Sequence, residues 1–298
     1  MGLQAGGTTM AMLIKRGLKH LSRVNDVLFR TLRIERDITI FPDDVFLTSY
    51  PRSGNTWTRF LVGNLVHTEE PVTFLNVERL VADMYKHGDH YLRNLSRPRI
   101  LKSHEVFDPR YKRIIYIVRD PRDCAVSNFH WEMKQRSFND QLPIKDFLPN
   151  WIEGKIWDRL GNWGDHVTSW LSTRSGHEGF LMLRYEDMIE DPARELMKVS
   201  KLLGIEQSIE RCKRAADLSS FERMRKLEEK QGDKWVQTRF TRQDKPFVRQ
   251  ATKGGWREVL PPECVAQIEA AWGHVMIQVG YQLVSDAAGK EKLVHQER

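Results

Sequence analysis

Residues 45–57 read VFLTSYPRSGNTW, and the fold is decided in this stretch. Val45–Tyr50 is a short apolar run bounded by turn residues, the pattern of a buried strand. The turn Pro51-Arg52-Ser53-Gly54 follows, and a helical pattern runs from about Trp57 to Val66. A loop between a strand and a helix aims successive main-chain N–H groups and the positive helix end at one point. Gly54 lets the backbone approach closely, Ser53 and Thr56 add hydroxyl donors, and Arg52 supplies a permanent cation. That is the construction of a phosphate cradle. It is not a Walker A loop, because the GxxxxGK[ST] spacing is absent. An ordinary strand–helix turn has the same outline, so the surrounding residues must decide.

Outward from it, Arg99–Ser103 reads as a second strand, Arg113–Arg119 (RIIYIVR) as a third and Phe180–Tyr185 as a fourth. Helical patterns separate them, among them Pro192–Leu203 and Glu263–Val279. This alternation predicts an α/β fold, a single domain built on an open parallel sheet with helices on both faces. In such a sheet the strand carboxyl ends border the ligand crevice. LKSH, residues 101–104, ends the second strand there, so Lys102 and His104 are expected to face the cradle. A histidine can take a proton from an attacking hydroxyl near neutral pH, and a lysine can neutralise charge on a transferring group. RDPRDCAVS, residues 119–127, leaves the third strand at the same edge. A helix beginning near Asp120–Pro121 puts Ser127 about two turns along it. Arg119 and Ser127 then suit a second anionic group, unless Arg119 pairs with Asp123 instead. FVRQATKGGWR, residues 247–257, offers Arg249, Lys253, Gly254 and Gly255 as a basic loop able to close over phosphate.

Composition narrows the classes. The 298 residues are 40% apolar and 29% charged, which excludes disorder and allows a substantial core. No run approaches the ~18 apolar residues of a membrane span. The 3 cysteines show no CxxC pair, which points to free thiols in a reducing, cytoplasmic setting and away from zinc. A net charge of +7 suits an anionic partner, but it is spread along the chain with no nucleic-acid reader motif, so nucleic acid is not expected. Residues 1–40 read as a basic amphipathic extension, with Ile14, Leu18, Leu21, Leu28 and Leu32 on one helical face and Lys15, Arg16, Lys19 and Arg23 mostly elsewhere. Such a helix packs on its parent domain or makes peripheral contact with an anionic membrane. Gly6 stands where N-myristoylation needs Ser or Thr, and no signal-peptide pattern is present, though a mitochondrial presequence stays open. Residues 286–298 read as a polar tail. Trp151, Trp157, Trp163 and Trp170 could line an acceptor channel, but aromatics at helical spacing more often form core, and His166 reads as structural or as an acceptor-pocket residue.

YPRSGNTW, LKSH, RDPRDCAVS, the YEDM run at 185–188 and RQATKGGWR stand in the order typical of cytosolic-type sulfotransferases. The chain resembles that family over roughly residues 41–283, which draws a sulfotransferase domain at 41–285. The resemblance implies a P-loop-like fold and 3′-phosphoadenosine 5′-phosphosulfate (PAPS) as co-substrate, with no metal. It implies sulfuryl transfer to a hydroxyl or amine of a small-molecule acceptor. It places Arg52, in the position of the family's lysine, with Ser53, Gly54, Asn55 and Thr56 around the 5′-phosphosulfate, and Trp57 against the adenine. Arg119, Ser127 and Arg249 take the 3′-phosphate clamp, Tyr185 lies near the adenine, and Ser219, Ser220 and Phe221 line the same pocket. His104 becomes the catalytic base, with Lys102 beside it. Gln250 and Ala251 replace the lysine and glycine usual after the clamp arginine, which loosens backbone approach there, with Lys253 as a possible compensation. The family's dimer motif KxxxTVxxxE is missing after Arg257, where Pro261 and Pro262 intervene, so that dimer is not expected. Two other readings stand beside this one: a P-loop-type small-molecule or nucleotide kinase, which needs ATP and magnesium, and a non-catalytic nucleotide- or membrane-binding relative.

Overall fold

The structure, a computed structural model, describes residues 38–157, 159–249 and 253–284. The extension at 1–40 (but for its last three residues), the tail at 286–298, Gln250 and Ala251 lie outside the described residues.

Five strands form the sheet: β1 (Val45–Ser49), β2 (Ala82–Asp83), β3 (Ile100–Ser103), β4 (Arg113–Val118) and β5 (Phe180–Arg184). Their order is β2-β3-β1-β4-β5, and every neighbouring pair is parallel. Four strands fall where the sequence pattern puts them. The fifth, β2, has 2 residues, too few to show any periodicity. β1 is central: the chain passes to β3 on one side and later to β4 on the other. The carboxyl end of β1 is therefore the switch point at which doubly wound sheets bind ligands.

All five residues of β1 are buried because both faces of the sheet are covered. On one face Val45, Leu47, Ile115 and Ile117 pack with Leu61, Val62 and Leu65 of the Asn55–Val66 helix and with Leu196 and Val199 of the Pro192–Leu203 helix. On the other, Phe46 stacks on Tyr111, and Tyr116 lies against His166 and Trp170 of the Trp163–Arg174 helix. Trp151, Trp163 and Trp170 are fully buried, and Trp272 lies edge-on to Trp151 and tilted against Trp163. These tryptophans are helix core.

At the amino ends of the strands, Asp44 and Arg99 form an ion pair with both side chains excluded from solvent. Arg99 Nε donates to Asp44 Oδ1 at 2.8 Å, and the Phe41 N–H donates to Asp44 Oδ2 at 2.7 Å. Val45 pairs with Ile100, so this contact fixes the β1–β3 register. Cys124, Cys212 and Cys264 are free and buried. Among the described residues no helix is long and apolar enough to cross a membrane.

Candidate active site

The loop after β1 departs from ordinary backbone twice. Arg52 has φ 70° and Gly54 φ 91°, both in the left-handed region. Such alternation turns main-chain N–H groups toward one concave point. The helix then starts at Asn55, two residues before the sequence pattern places it, with no side-chain cap and no acidic residue in its first turn. Its leading N–H groups therefore face no competing carboxylate of that turn. Gly54 is doubly constrained: a Cβ there would lie 2.4 Å from Cδ2 of Tyr185. Not every side chain of the loop points into the cradle. Asn55 turns its amide back into the sheet, donating to the Leu47 carbonyl at 3.2 Å and to Ser49 Oγ at 3.1 Å. Ser53 is buried with its hydroxyl 3.5 Å from Cys124 Sγ. Thr56 is half-buried in the first helical turn.

Three arginines converge beside this loop. Arg52 Nε donates to Ser127 Oγ at 3.3 Å, and its guanidinium lies 4.9 Å from the Trp131 ring and 5.1 Å from the Phe247 ring. Arg119 Nη1 donates to the Arg52 carbonyl at 3.2 Å and sits 4.2 Å over the Tyr185 ring. Burial, with Arg119 and Arg249 as like charges, pushes the Arg52 pKa down to about 10. It stays charged at neutral pH. Burial, then Arg249, Lys245 and Arg52, push His130 down to about 4. Such crowding of positive charge is the electrostatics of an anion site. Asp123, the acid that the sequence allowed as a partner for Arg119, interacts with it electrostatically and also binds main-chain N–H groups. It accepts the Gly254 N–H at 2.8 Å and the Trp256 N–H at 2.9 Å, docking residues 254–256 on the Pro121–Lys134 helix. Lys253 reaches outward to Glu190 at 3.5 Å.

The residues that the resemblance assigns to the adenine also assemble. Trp57 and Tyr185 meet edge to face, centroids 5.6 Å apart. Trp57 Nε1 donates to the Ser219 carbonyl at 2.9 Å, and Asn64 donates to Ser219 Oγ at 3.0 Å, tying this segment to the Asn55–Val66 helix. Ser220 caps the next helix, and Phe221 opens it.

His104 follows β3, across the switch point from the loop. Its Nδ1 lies 2.7 Å from the Ser49 carbonyl. A carbonyl only accepts, so Nδ1 carries the proton and Nε2 presents a lone pair. Burial, then the Lys102 ammonium, hold its pKa well below 6.5, so the ring is neutral at physiological pH. Lys102 does not stand open to the cradle as expected. Its Nζ is 2.6 Å from Asp83 Oδ2, with both side chains nearly excluded from solvent. Sequence reasoning missed three supports. Tyr85 accepts the His104 N–H on its hydroxyl at 2.8 Å. The His104 carbonyl accepts from His166 Nε2 at 3.1 Å, and His166 Nδ1 accepts from the Tyr116 hydroxyl at 3.0 Å. Trp163 and Trp170 donate to the Arg119 and Glu105 carbonyls at 3.2 and 3.0 Å. The helix core thus holds the strand ends that carry the site.

Comparison with known proteins matches this arrangement. The family described as "Sulfotransferase domain" covers residues 42–280. Sulfotransferase 1B1 of Mus musculus is 27% identical over 263 residues, 82% of this chain and 86% of the relative. A mouse sulfotransferase solved in complex with PAP (3′-phosphoadenosine 5′-phosphate) superposes with a TM-score of 0.64 at 22% identity, over 87% of this chain and 91% of that one. Retinol dehydratase, solved with retinol and PAP, gives 0.62 at 24% identity over 79% and 81%. The two structures share the fold. With the family match spanning residues 42–280, the chain belongs to the sulfotransferases, enzymes that transfer the sulfuryl group of PAPS.

Proposed function

We propose that the acceptor is a small molecule bearing a hydroxyl, or alternatively an amine, and that His104 is the base that activates it. The observation that carries this reading is the placement of the His104 lone pair across the β1 switch point from three crowded arginines. Retinol in complex with the structurally similar dehydratase supports a small organic acceptor. The main-chain N–H groups of Ser53, Gly54, Asn55 and Thr56 would hold the 5′-phosphosulfate, with the Asn55 side chain a brace. Arg119, Ser127 and Arg249 would hold the 3′-phosphate, with Gln250 and Ala251 in the same loop. Trp57, Tyr185, Ser219, Ser220 and Phe221 would enclose the adenine.

His104 Nε2 takes the acceptor proton as the new oxygen–sulfur bond forms. The bond from sulfur to the 5′-phosphate oxygen breaks, and that oxygen keeps the electron pair. Arg52 and Lys102 offset the charge that builds on the sulfuryl and bridging oxygens. The functional domain is drawn at 41–285. Cytoplasmic residence is supported by the free, buried thiols.

Arg249→Ala is expected to weaken PAP binding about 10–100-fold in calorimetry, the scale of a lost charge-assisted contact. Unchanged affinity would remove Arg249 from the clamp. Incubation of the chain with labelled PAPS and a panel of phenols, alcohols and amines is expected to label acceptors. Transfer from ATP with magnesium, and none from PAPS, would overturn the reading.

A further inference from the structure

Asp83 belongs to no motif of the site, yet it touches two residues that shape the site. It ends the two-residue edge strand β2, paired with Lys102 in the β2–β3 register. Its Oδ2 lies 2.6 Å from Lys102 Nζ, and its Oδ1 accepts the Tyr85 N–H at 2.9 Å. Tyr85 lies over His104 with ring centroids 6.0 Å apart, accepts the His104 N–H, and donates its own hydroxyl proton to Glu105 at 2.9 Å. One carboxylate therefore braces both the cation and the base. The Asp83 N–H is itself held by Glu78 Oε2 at 2.9 Å, and Glu78 pairs with Arg59 at 3.0 Å.

We propose that Asp83 is a positioning residue for sulfuryl transfer: its carboxylate fixes the Lys102 ammonium at the end of β3, beside the His104 base. The proposal rests on the roles given above to Lys102 and His104. Burial pushes the Lys102 pKa down, and the Asp83 carboxylate opposes that shift. A buried ammonium without a counter-charge tends to shed its proton, and a neutral amine offsets no developing charge. At His104 the two charges act in opposite directions, Lys102⁺ lowering the pKa and the Asp83 carboxylate raising it, with burial the larger cause of the neutral ring. A lysine ammonium has three donors. Asp83 occupies one, which leaves others for sulfuryl oxygens.

The test is a double-mutant cycle on the whole chain, reading kcat, KM for PAPS and PAP affinity. Asp83→Asn keeps an oxygen for the Tyr85 N–H but removes the charge. It is expected to lower kcat about tenfold, with KM for PAPS and PAP affinity within about twofold. In a Lys102→Ala background the same change is expected to have almost no further effect, because Asp83 acts through Lys102. Equal losses in both backgrounds would make Asp83 a merely structural residue and overturn the proposal, as would wild-type kcat in Asp83→Asn. Wild-type kcat in Lys102→Ala would instead remove Lys102 from the mechanism, and the proposal would fall with it. Should Asp83→Asn not fold, Asp83→Glu keeps the charge but displaces it by one methylene. A severalfold loss of kcat with intact PAP binding supports the proposal, and wild-type kcat overturns it.

Discussion

His104→Ala is expected to lower kcat about 1,000-fold while PAP affinity stays within about twofold. General-base catalysis contributes roughly 100- to 10,000-fold when the base is held on the reacting proton. The holding is visible here: the Ser49 carbonyl fixes the tautomer, Tyr85 holds the main-chain N–H, and His166 holds the carbonyl. None of these contacts involves the arginines, so nucleotide binding survives the change. The pH dependence has a definite sign. Burial and Lys102 hold the His104 pKa well below 6.5, so the ring stays unprotonated as pH falls through 6.5. The kcat of the wild-type enzyme is therefore expected to hold at that pH and to decline only below it. A rate that halves near pH 6.5 would mean a solvated, unperturbed histidine. Near wild-type turnover in His104→Ala would remove the base assignment.

The second large effect falls on stability. Asp44→Ala is expected to cost about 3–5 kcal/mol, because it leaves the Arg99 guanidinium buried without its carboxylate. At about 2–4 °C per kcal/mol for a chain of this size, the melting temperature falls about 6–20 °C. The pair sits where β1 and β3 begin, and those strands carry the anion loop and His104 at their other ends. Adding Arg99→Met to Asp44→Ala is expected to recover part of the loss, since an apolar residue carries no stranded charge. A loss below about 1 kcal/mol for Asp44→Ala would show that water or other groups replace the carboxylate.

What the sequence disclosed, and what it hid, follows from the range of the interactions. The loop at 50–57 was legible because a strand pattern, a turn cluster and a helical pattern lie side by side. Lys102, His104 and Arg119 were legible as residues at strand carboxyl ends, a place that topology alone makes functional. The direction of side chains was not. Asn55 sits inside the motif, yet its amide braces β1, because Leu47 and Ser49 come back beneath it. Asp83 was invisible: a two-residue strand has no period, and its partner lies on another strand. Trp131 and Phe247, which flank Arg52, come from distant segments that only the folded chain brings together. The tryptophans at 151, 163 and 170 left core and channel open as readings until burial placed them in the core.

The most direct test of the central claim compares the affinity of PAP with that of adenosine 5′-monophosphate, calorimetrically and without added metal. The two ligands differ by the 3′-phosphate alone, the group assigned to Arg119, Ser127 and Arg249. The account predicts that PAP binds at least about 100-fold more tightly, roughly the worth of one phosphate held by charge-assisted hydrogen bonds. Equal affinities would contradict a two-ended clamp and with it the donor site described here.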